Sequence, residues 1–562
     1  MLRLDRECLS ADRAAWEAAG FKMPNYDREA MIRRTLQNPR WLHFGTGNIF
    51  RAFIAPLQQH LLNTGRADTG IIAAAAHDFE VVERVYRPYG NLAISVGLRP
   101  DGEMIPEVVA SIAESIRADE GRARLREIAE APSLQIMSFC ITEKGYALTD
   151  MRGNLTESIR RELEQGPEGA KHTMTLAAAL LLERFLAGAA PVALLSLDNC
   201  SRNGDKLRDS VLRAARAWAA HGGFGRPDSV WRDFMTYLED ESRVSSPWSM
   251  IDKITPRPSE SVRDFLTQKG VEGMDLLLTA KGSYVAPFVN AEIPQYLVAE
   301  DRFPAGRPPL EEAGTGVYFT DRQTVEKAER MKVSACLNPL HTALAIFGCL
   351  LGYRTIASEM ENPLLRALAE RIGYAEGMPV VADPGIFSPR EFIREVLEDR
   401  FPNPFIPDTP QRIATDTSQK IPVRYGETIK AYMERPGQSP DLNAKNLVGI
   451  PLVIAAWFRY LLGVDDELRP MELSGDPLME ELRKGLEGIR PGEPLRPGEP
   501  ESAGGRLRPF LSNPALFGAD LYAAGLGEKV ESMFAETLAG KGAVLRTLEA
   551  HIGVEGPAEG RK

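Results

Sequence analysis

Along residues 41–63 the apolar positions change their period. "RWLHF" is a short apolar run of strand length, and after "GTGN" the residues Phe50, Phe53, Ile54, Leu57 and Leu61 recur at helical spacing, with Gly65 placed to end the helix. This pattern predicts strand, glycine turn, helix. Further strands are predicted in "GIIAAAAHD", "LQIMSFCIT" and "PVALLSLDN", with a long polar region after the first and an amphipathic helix around "TMTLAAALLLERFLAG". Strands alternating with helices favour a parallel sheet covered on both faces, with ligands gathering at the carboxyl ends of the strands. The fold class expected is α/β, with a Rossmann-like doubly wound domain over residues 1–305.

The stretch "EDRFPAGRPP" is rich in proline and glycine, and beyond it long helical patterns dominate with few strand candidates. Residues 306–562 are therefore expected to form a mainly α-helical C-terminal domain. Inside it "RPGEPLRPGEPE" (490–501) repeats RPGEP and can sustain neither helix nor sheet, which predicts a surface loop over about 488–506. The tail "EGPAEGRK" is expected to fray.

Composition then removes several function classes. The chain has 562 residues, more than one compact core accommodates, and its 44% hydrophobic and 26% charged content is that of a globular protein. A net charge of −11 without a Lys/Arg-rich run argues against a nucleic-acid partner. The N-terminus lacks the apolar core of a signal peptide, and the longest apolar runs, near 344–351 and 449–457, fall short of a membrane span, so a cytoplasmic location without a membrane partner is expected. The five cysteines form no CxxC pair, as reduced thiols would, and the seven histidines never share a helix face, so local motifs show no metal site.

Two clusters carry candidate chemistry. In "HFGTGNIFR", Gly45, Gly47 and Asn48 form the turn that opens a helix, where glycine lets backbone N–H groups approach a pyrophosphate at the positive helix end. Arg51 in the first helical turn is placed to reach a phosphate. Asp78, after the second strand, is placed to meet ribose hydroxyls and to repel a 2′-phosphate, favouring NAD over NADP. The third glycine of the usual fingerprint is replaced by Phe50, and an ordinary tight turn with a solvated aspartate reads the same way.

The second cluster is "MKVSACLNPLHTALAIFGCLLGY", residues 331–353, where Lys332, Asn338 and His341 crowd the mouth of an apolar helix. Asn338 followed by Pro339 predicts a helix start with the asparagine as cap. Oxidising an alcohol requires a group that takes the hydroxyl proton and donors that stabilise the oxygen, and these three residue types supply both. A lysine with a pKa of about 10.4 must be shifted down to act as a base, which burial beside a cationic nicotinamide would do. A capping asparagine, a core histidine and a solvated lysine is the alternative.

These stretches, together with "ITEKGY", "LDNCSRNG", "MIDKITP", "AEDRFPAGRP" and "NPFIPDTPQRIATDTSQKIP", resemble in order the motifs of the mannitol dehydrogenase family of long-chain polyol and uronate dehydrogenases. The resemblance covers roughly residues 40–460. It implies zinc-independent hydride transfer with Lys332 as general base, Asn199 and Asn338 as the oxyanion site, His341 orienting substrate, and Glu329 gating the proton to solvent. It further implies Arg412 and Lys420 as ligands of substrate hydroxyls and Asp252 near the nicotinamide end. Lys332 and Asn338 are six residues apart where the family pattern has five steps. An extra residue turns a helical side chain by about 100°, so either a bulge absorbs it or Lys332 is not the base.

The function this implies is an NAD-dependent oxidoreductase interconverting a ketose or ketouronate with its secondary alcohol, foremost fructuronate and mannonate. Fructose and mannitol is one alternative; a non-catalytic NAD-binding regulatory protein is another. Arg412, Lys420 and Arg424 offer cations for a substrate carboxylate.

Overall fold

The computed structural model describes residues 1–150, 152–314, 316–435, 442–492 and 503–553. The RPGEP repeat from residue 493 onward and the tail from residue 554 lie outside the described residues. The chain forms two compact units, Met1–Glu326 and Lys327–Lys562.

The first unit is built on strands Trp41–Phe44 (β1), Ile71–Ala75 (β2), Ala93–Leu98 (β3), Met104–Val109 (β4), Ile112–Arg117 (β5), Ile136–Phe139 (β6), Val192–Ser196 (β7) and Val244–Ser245 (β8). Six of them form one parallel sheet in the order β5-β2-β1-β6-β7-β8. Side chains alternate across it. Leu42, Phe44, Ile72, Ala74, Met137, Phe139 and Leu194 pack on one face with the helices Thr173–Leu186 and Asn203–Ala220. Trp41, Ile71, Ala73, Ile136 and Leu195 pack on the other with Phe50, Phe53, Ile54, Leu57 and Leu61, the stripe read from the sequence. Both faces are covered, which is the doubly wound arrangement.

Three strands, β3 to β5, lie in the region read as merely long and polar. β4 and β5 carry charges on partly exposed positions, and the apolar β3 stands between polar stretches; β5 becomes the sheet edge, and β3 pairs antiparallel with β4. The unit is completed by Ser249–Asp252 (β9), the ribbon Leu277–Leu278 (β10) with Tyr284–Val285 (β11), Phe288–Glu292 (β12), Tyr296–Glu300 (β13) and Val317–Thr320 (β14). β13 pairs with β9 and β14, so the chain stays in this unit beyond the junction expected at 305/306. Within that stretch Arg307 bonds Asp301 and Glu311 and stacks 3.4 Å from the Phe319 ring centroid, holding the proline-rich segment against the sheet unit.

The second unit is helical. Its centre is the Gly449–Leu461 helix, every residue of which is buried. Glu376 accepts from the backbone N–H groups of Val448, Gly449 and Ile450 at 2.7–2.9 Å, satisfying the helix start with a negative charge where the macrodipole favours one. At the other end Arg459 donates to the carbonyls of Val464, Asp465 and Thr537. The helices Gly527–Thr537 and Ala543–Ile552 pack against this centre as part of the core. The run Arg322–Leu351 contains an 18-residue stretch apolar enough to cross a bilayer, longer than the sequence reading allowed; 78% of that stretch is buried inside the protein, as a core helix is.

One buried acid stands apart. Glu359, at the end of the short Ile356–Glu359 helix, is fully buried, and neither carboxyl oxygen has a hydrogen-bond partner among the described residues. It fits because Gly348 of the Asn338–Leu351 helix lacks a side chain; a Cβ there would collide with the Glu359 carboxyl and come within 2.8 Å of Pro410. Burial pushes its pKa from 4.5 to about 9. In the unfolded chain this carboxyl ionises near its ordinary value, so between those two pH values the native state holds the extra proton. Stability therefore falls as pH rises through that window, by up to ~1.4 kcal/mol per pH unit. The neutral isostere Glu359→Gln is expected to raise the thermal midpoint at pH 8 and to leave it nearly unchanged at pH 5; equal shifts at both pH values, followed by circular dichroism, would contradict a protonated Glu359.

Candidate active site

In the first unit the glycine turn is stitched between strand ends. The Gly45 N–H donates to Ala74 at the end of β2, and the Cys140 N–H, just past β6, donates to Phe44. Gly45 has φ +121°, and a Cβ there would collide with the Cys140 carbonyl, so glycine is required both by conformation and by space. Gly47 differs: a Cβ would meet nothing within 4 Å, so the backbone there faces open space. Helix begins at Asn48 and passes through a π-turn at Phe50–Ile54 before continuing as Ala55–Asn63, with Gly65 left-handed just after its end.

Arg51 does not face outward to a phosphate. It is 1% exposed, donates to the Ala286 carbonyl at 2.6 Å and to Asn48 Oδ1 at 3.0 Å, and lies over the Tyr86 ring, whose hydroxyl donates to the Thr46 carbonyl. The π-turn directs it into the packing, where it braces the turn. Asp78 lies three residues beyond β2; its Oδ2 accepts from Thr279, and its buried Oδ1 has no partner among the described residues. An open glycine backbone at a helix start and an unsatisfied carboxylate oxygen beyond the next strand fit the pyrophosphate and ribose of a dinucleotide.

The motifs "ITEKGY" and "LDN" meet at Asp198, which the sequence reading did not single out. Its carboxylate accepts from the N–H groups of Ile141 and Thr142 and from the Tyr146 hydroxyl, at 2.6–2.9 Å. Thr142 is held at φ +66°, a strained conformation for a β-branched residue. The Asn203 amide bonds the Asp198 carbonyl and Ser249, so the loop after β7 is fixed from both sides. Asn199 sits exposed on this loop, and Asp252 is buried at the end of β9 opposite Tyr296. Its neighbour Lys253 donates to the carbonyls of Glu292 and Ile293.

In the second unit the sequence cluster resolves into a π-turn. Residues Lys332–Cys336 are π-helical, and the Leu337 N–H donates to the Lys332 carbonyl at 3.1 Å, an i→i+5 bond whose turn holds one residue more than an α-turn. The extra step between Lys332 and Asn338 is absorbed there. Leu337, with φ −128°, breaks the run, and the next helix spans Asn338–Leu351; Asn338 is its first residue, with Leu337 in the cap position expected for the asparagine. Lys332 is 1% exposed. Glu329 lies partly exposed on the helical turn just before it.

His341 sits at the first turn of that helix, its ring 5.0 Å from that of Phe401 and its Nε2 3.4 Å from Asp408. Burial lowers its pKa to about 3, reinforced by the positive charges of Arg424, Arg412, Arg400 and Lys420, so it is a neutral imidazole at physiological pH. Arg412 pairs with Asp408 and is otherwise exposed. Lys420 donates to the carbonyls of Ile413 and Thr415; burial and the nearby Arg424 lower its pKa to about 8. Arg400 and Asp408 were not anticipated as neighbours of His341, since both lie far from it along the chain. Among the described residues no group of three or more His, Cys, Asp or Glu is placed to hold a metal ion.

Comparison with known proteins decides what this framework is. Residues 39–311 match the mannitol dehydrogenase Rossmann domain, and residues 324–493 match the mannitol dehydrogenase C-terminal domain. The chain belongs to the mannitol dehydrogenase family. Within it, the chain is 52% identical over 557 residues to a D-mannonate oxidoreductase of Thermotoga maritima, covering 99% of this chain and 100% of that protein. It is 28% identical over 488 residues to a mannitol 2-dehydrogenase of Aspergillus fumigatus, covering 86% and 88% of the two chains. The fold is that of D-sorbitol dehydrogenase in substrate-free form, with TM-score 0.76, 23% identity and coverage of 95% and 98%. It is also that of Pseudomonas fluorescens mannitol 2-dehydrogenase in ternary complex with NAD and D-mannitol, with TM-score 0.67, 24% identity and coverage of 98% and 99%.

As a member of the mannitol dehydrogenase family the chain is an NAD-dependent oxidoreductase acting on CH–OH groups. The two glycines separate folding from cofactor binding. Gly47→Ala is expected to leave the thermal midpoint within a degree or two while weakening NADH, measured by fluorescence titration, at least ~10-fold. Gly45→Ala is expected to destabilise the protein by more than ~2 kcal/mol. Unimpaired NADH binding in Gly47→Ala would remove the turn from the cofactor site.

Proposed function

We propose that this protein interconverts D-mannonate and the ketouronate formed by oxidising one of its secondary alcohols. The observation that carries the reading is the burial of Lys332 in a π-turn directly ahead of Asn338 and His341. Identity of 52% along the full length to a D-mannonate oxidoreductase supports a sugar acid over a neutral polyol.

NAD, when bound, supplies the hydride acceptor. The chain's own residues handle the proton and the oxygen. The neutral amine of Lys332 takes the hydroxyl proton as the carbinol carbon becomes a carbonyl, and in the reverse direction the ammonium returns it. Asn338 donates to the oxygen as charge develops, and Asn199 keeps the same role that the family resemblance gives it. With its pKa lowered to about 3, the His341 imidazole is too weakly basic to compete for the proton, and it orients substrate through a hydrogen bond. Glu329, one helical turn before Lys332, passes the proton to solvent. Arg412 and Lys420 bind substrate hydroxyls. A cytoplasmic location belongs to the same reading; five free cysteines support it, and cell fractionation tests it.

Lys332→Ala is expected to lower kcat at least ~1,000-fold while NADH still binds. Wild-type rates in that variant would exclude Lys332 as the base. A screen of NADH oxidation with fructuronate, tagaturonate and fructose should favour fructuronate; fructose as the best substrate would replace this reading by mannitol oxidation, and turnover of none would leave the regulatory reading.

A further inference from the structure

A sugar acid brings a carboxylate as well as a carbinol, and four cations act on the His341 ring: Arg424, Arg412, Arg400 and Lys420. They differ in what already engages them. Arg412 is paired with Asp408, and Lys420 spends two N–H groups on carbonyls of its own loop. Arg400 lies buried at the end of the π-turn Val396–Arg400, 6.0 Å from the Phe392 ring centroid.

Arg424 differs from these three. It lies in another π-turn, Pro422–Gly426, and is partly exposed. One of its nitrogens donates to Thr342 Oγ1 at 2.5 Å and reaches the Asn338 carbonyl at 3.5 Å. Its other N–H groups meet no acceptor, and no acidic side chain pairs with it, among the described residues. Burial brings its pKa down to about 10, and its charge in turn lowers that of Lys420. A half-buried guanidinium with no counter-ion among the described residues, beside a second cation, is an arrangement that a bound anion stabilises. Tyr425 fixes the segment by donating to the Pro339 carbonyl, so Arg424 is tied to the helical turn that starts at Asn338.

We propose that Arg424 binds the terminal carboxylate of the substrate and sets the preference for sugar acids over neutral polyols. The assignment rests on the sugar-acid reading above. Its test compares D-mannonate with its uncharged amide, D-mannonamide, in initial rates of NAD reduction by wild type, Arg424→Gln and Arg424→Lys. Wild type is expected to prefer the acid about 100-fold in kcat/KM, the scale of one charge-assisted bidentate pair. Arg424→Gln should bring the two substrates within a few-fold of each other, and Arg424→Lys should retain part of the preference.

An Arg424→Gln enzyme that still prefers the acid, or a wild type active on both without preference, overturns the assignment while leaving the oxidoreductase reading intact. A wild type inactive on both overturns the sugar-acid reading and this assignment together. Should the glutamine variant not fold, an Arg424→Lys enzyme with undiminished preference overturns the assignment, and one with reduced preference supports it.

Discussion

The candidate site of the helical unit depends on the burial of one lysine, Lys332. Lys332 is 1% exposed, and the backbone around it shows how the chain holds it there. The π-turn Lys332–Cys336 inserts a residue without losing a hydrogen bond, because the Leu337 N–H closes on the Lys332 carbonyl. Side chains from a later segment tie both helical pieces down: Thr428 donates to the Ser334 carbonyl within the π-turn, and Tyr425 donates to the Pro339 carbonyl in the first turn of the next helix. Asn338 and His341 inherit their positions from this turn.

The same device recurs at three arginines, although Arg184 and Arg459 are buried from ordinary α-helices. Arg51, Arg400 and Arg424 each lie in a π-turn, as Lys332 does. An i→i+5 turn widens the helix and alters the direction of the side chains it carries, which is why such turns gather at functional positions. These cations differ in what engages them. Arg51 braces the glycine turn from inside, whereas Arg424 keeps N–H groups without acceptors among the described residues.

In the Rossmann unit the corresponding constraint is polar satisfaction at the strand ends. Asp198 collects two backbone N–H groups and a tyrosine hydroxyl, and in doing so fixes Thr142 in a strained conformation and joins two motifs more than fifty residues apart in sequence. A buried carboxylate accepting several hydrogen bonds is a rigid junction. The loop bearing Asn199 starts from it.

Much of this was legible in the residues themselves. Helical and strand periods from residue 41 to 63 marked a strand, turn and helix that fold as read, and the alternation that follows identified a doubly wound sheet, because local period and burial are coupled. Motif order was enough to indicate the family. What the sequence left open, tertiary structure decided. Whether the six-residue step from Lys332 to Asn338 was tolerable depended on a π-turn whose Ser334 carbonyl is bonded by Thr428, 94 residues away in sequence. Arg51 looked like a phosphate ligand because its local position fits one, and it turned inward because Ala286, distant in sequence, offers a carbonyl. Strands β3 to β5 escaped notice since their pairing, not their period, defines them. Local spacing determines which face a side chain occupies; only the assembled chain determines what waits on that face, because buried hydrogen bonds and charges are settled by partners that sequence distance does not reveal.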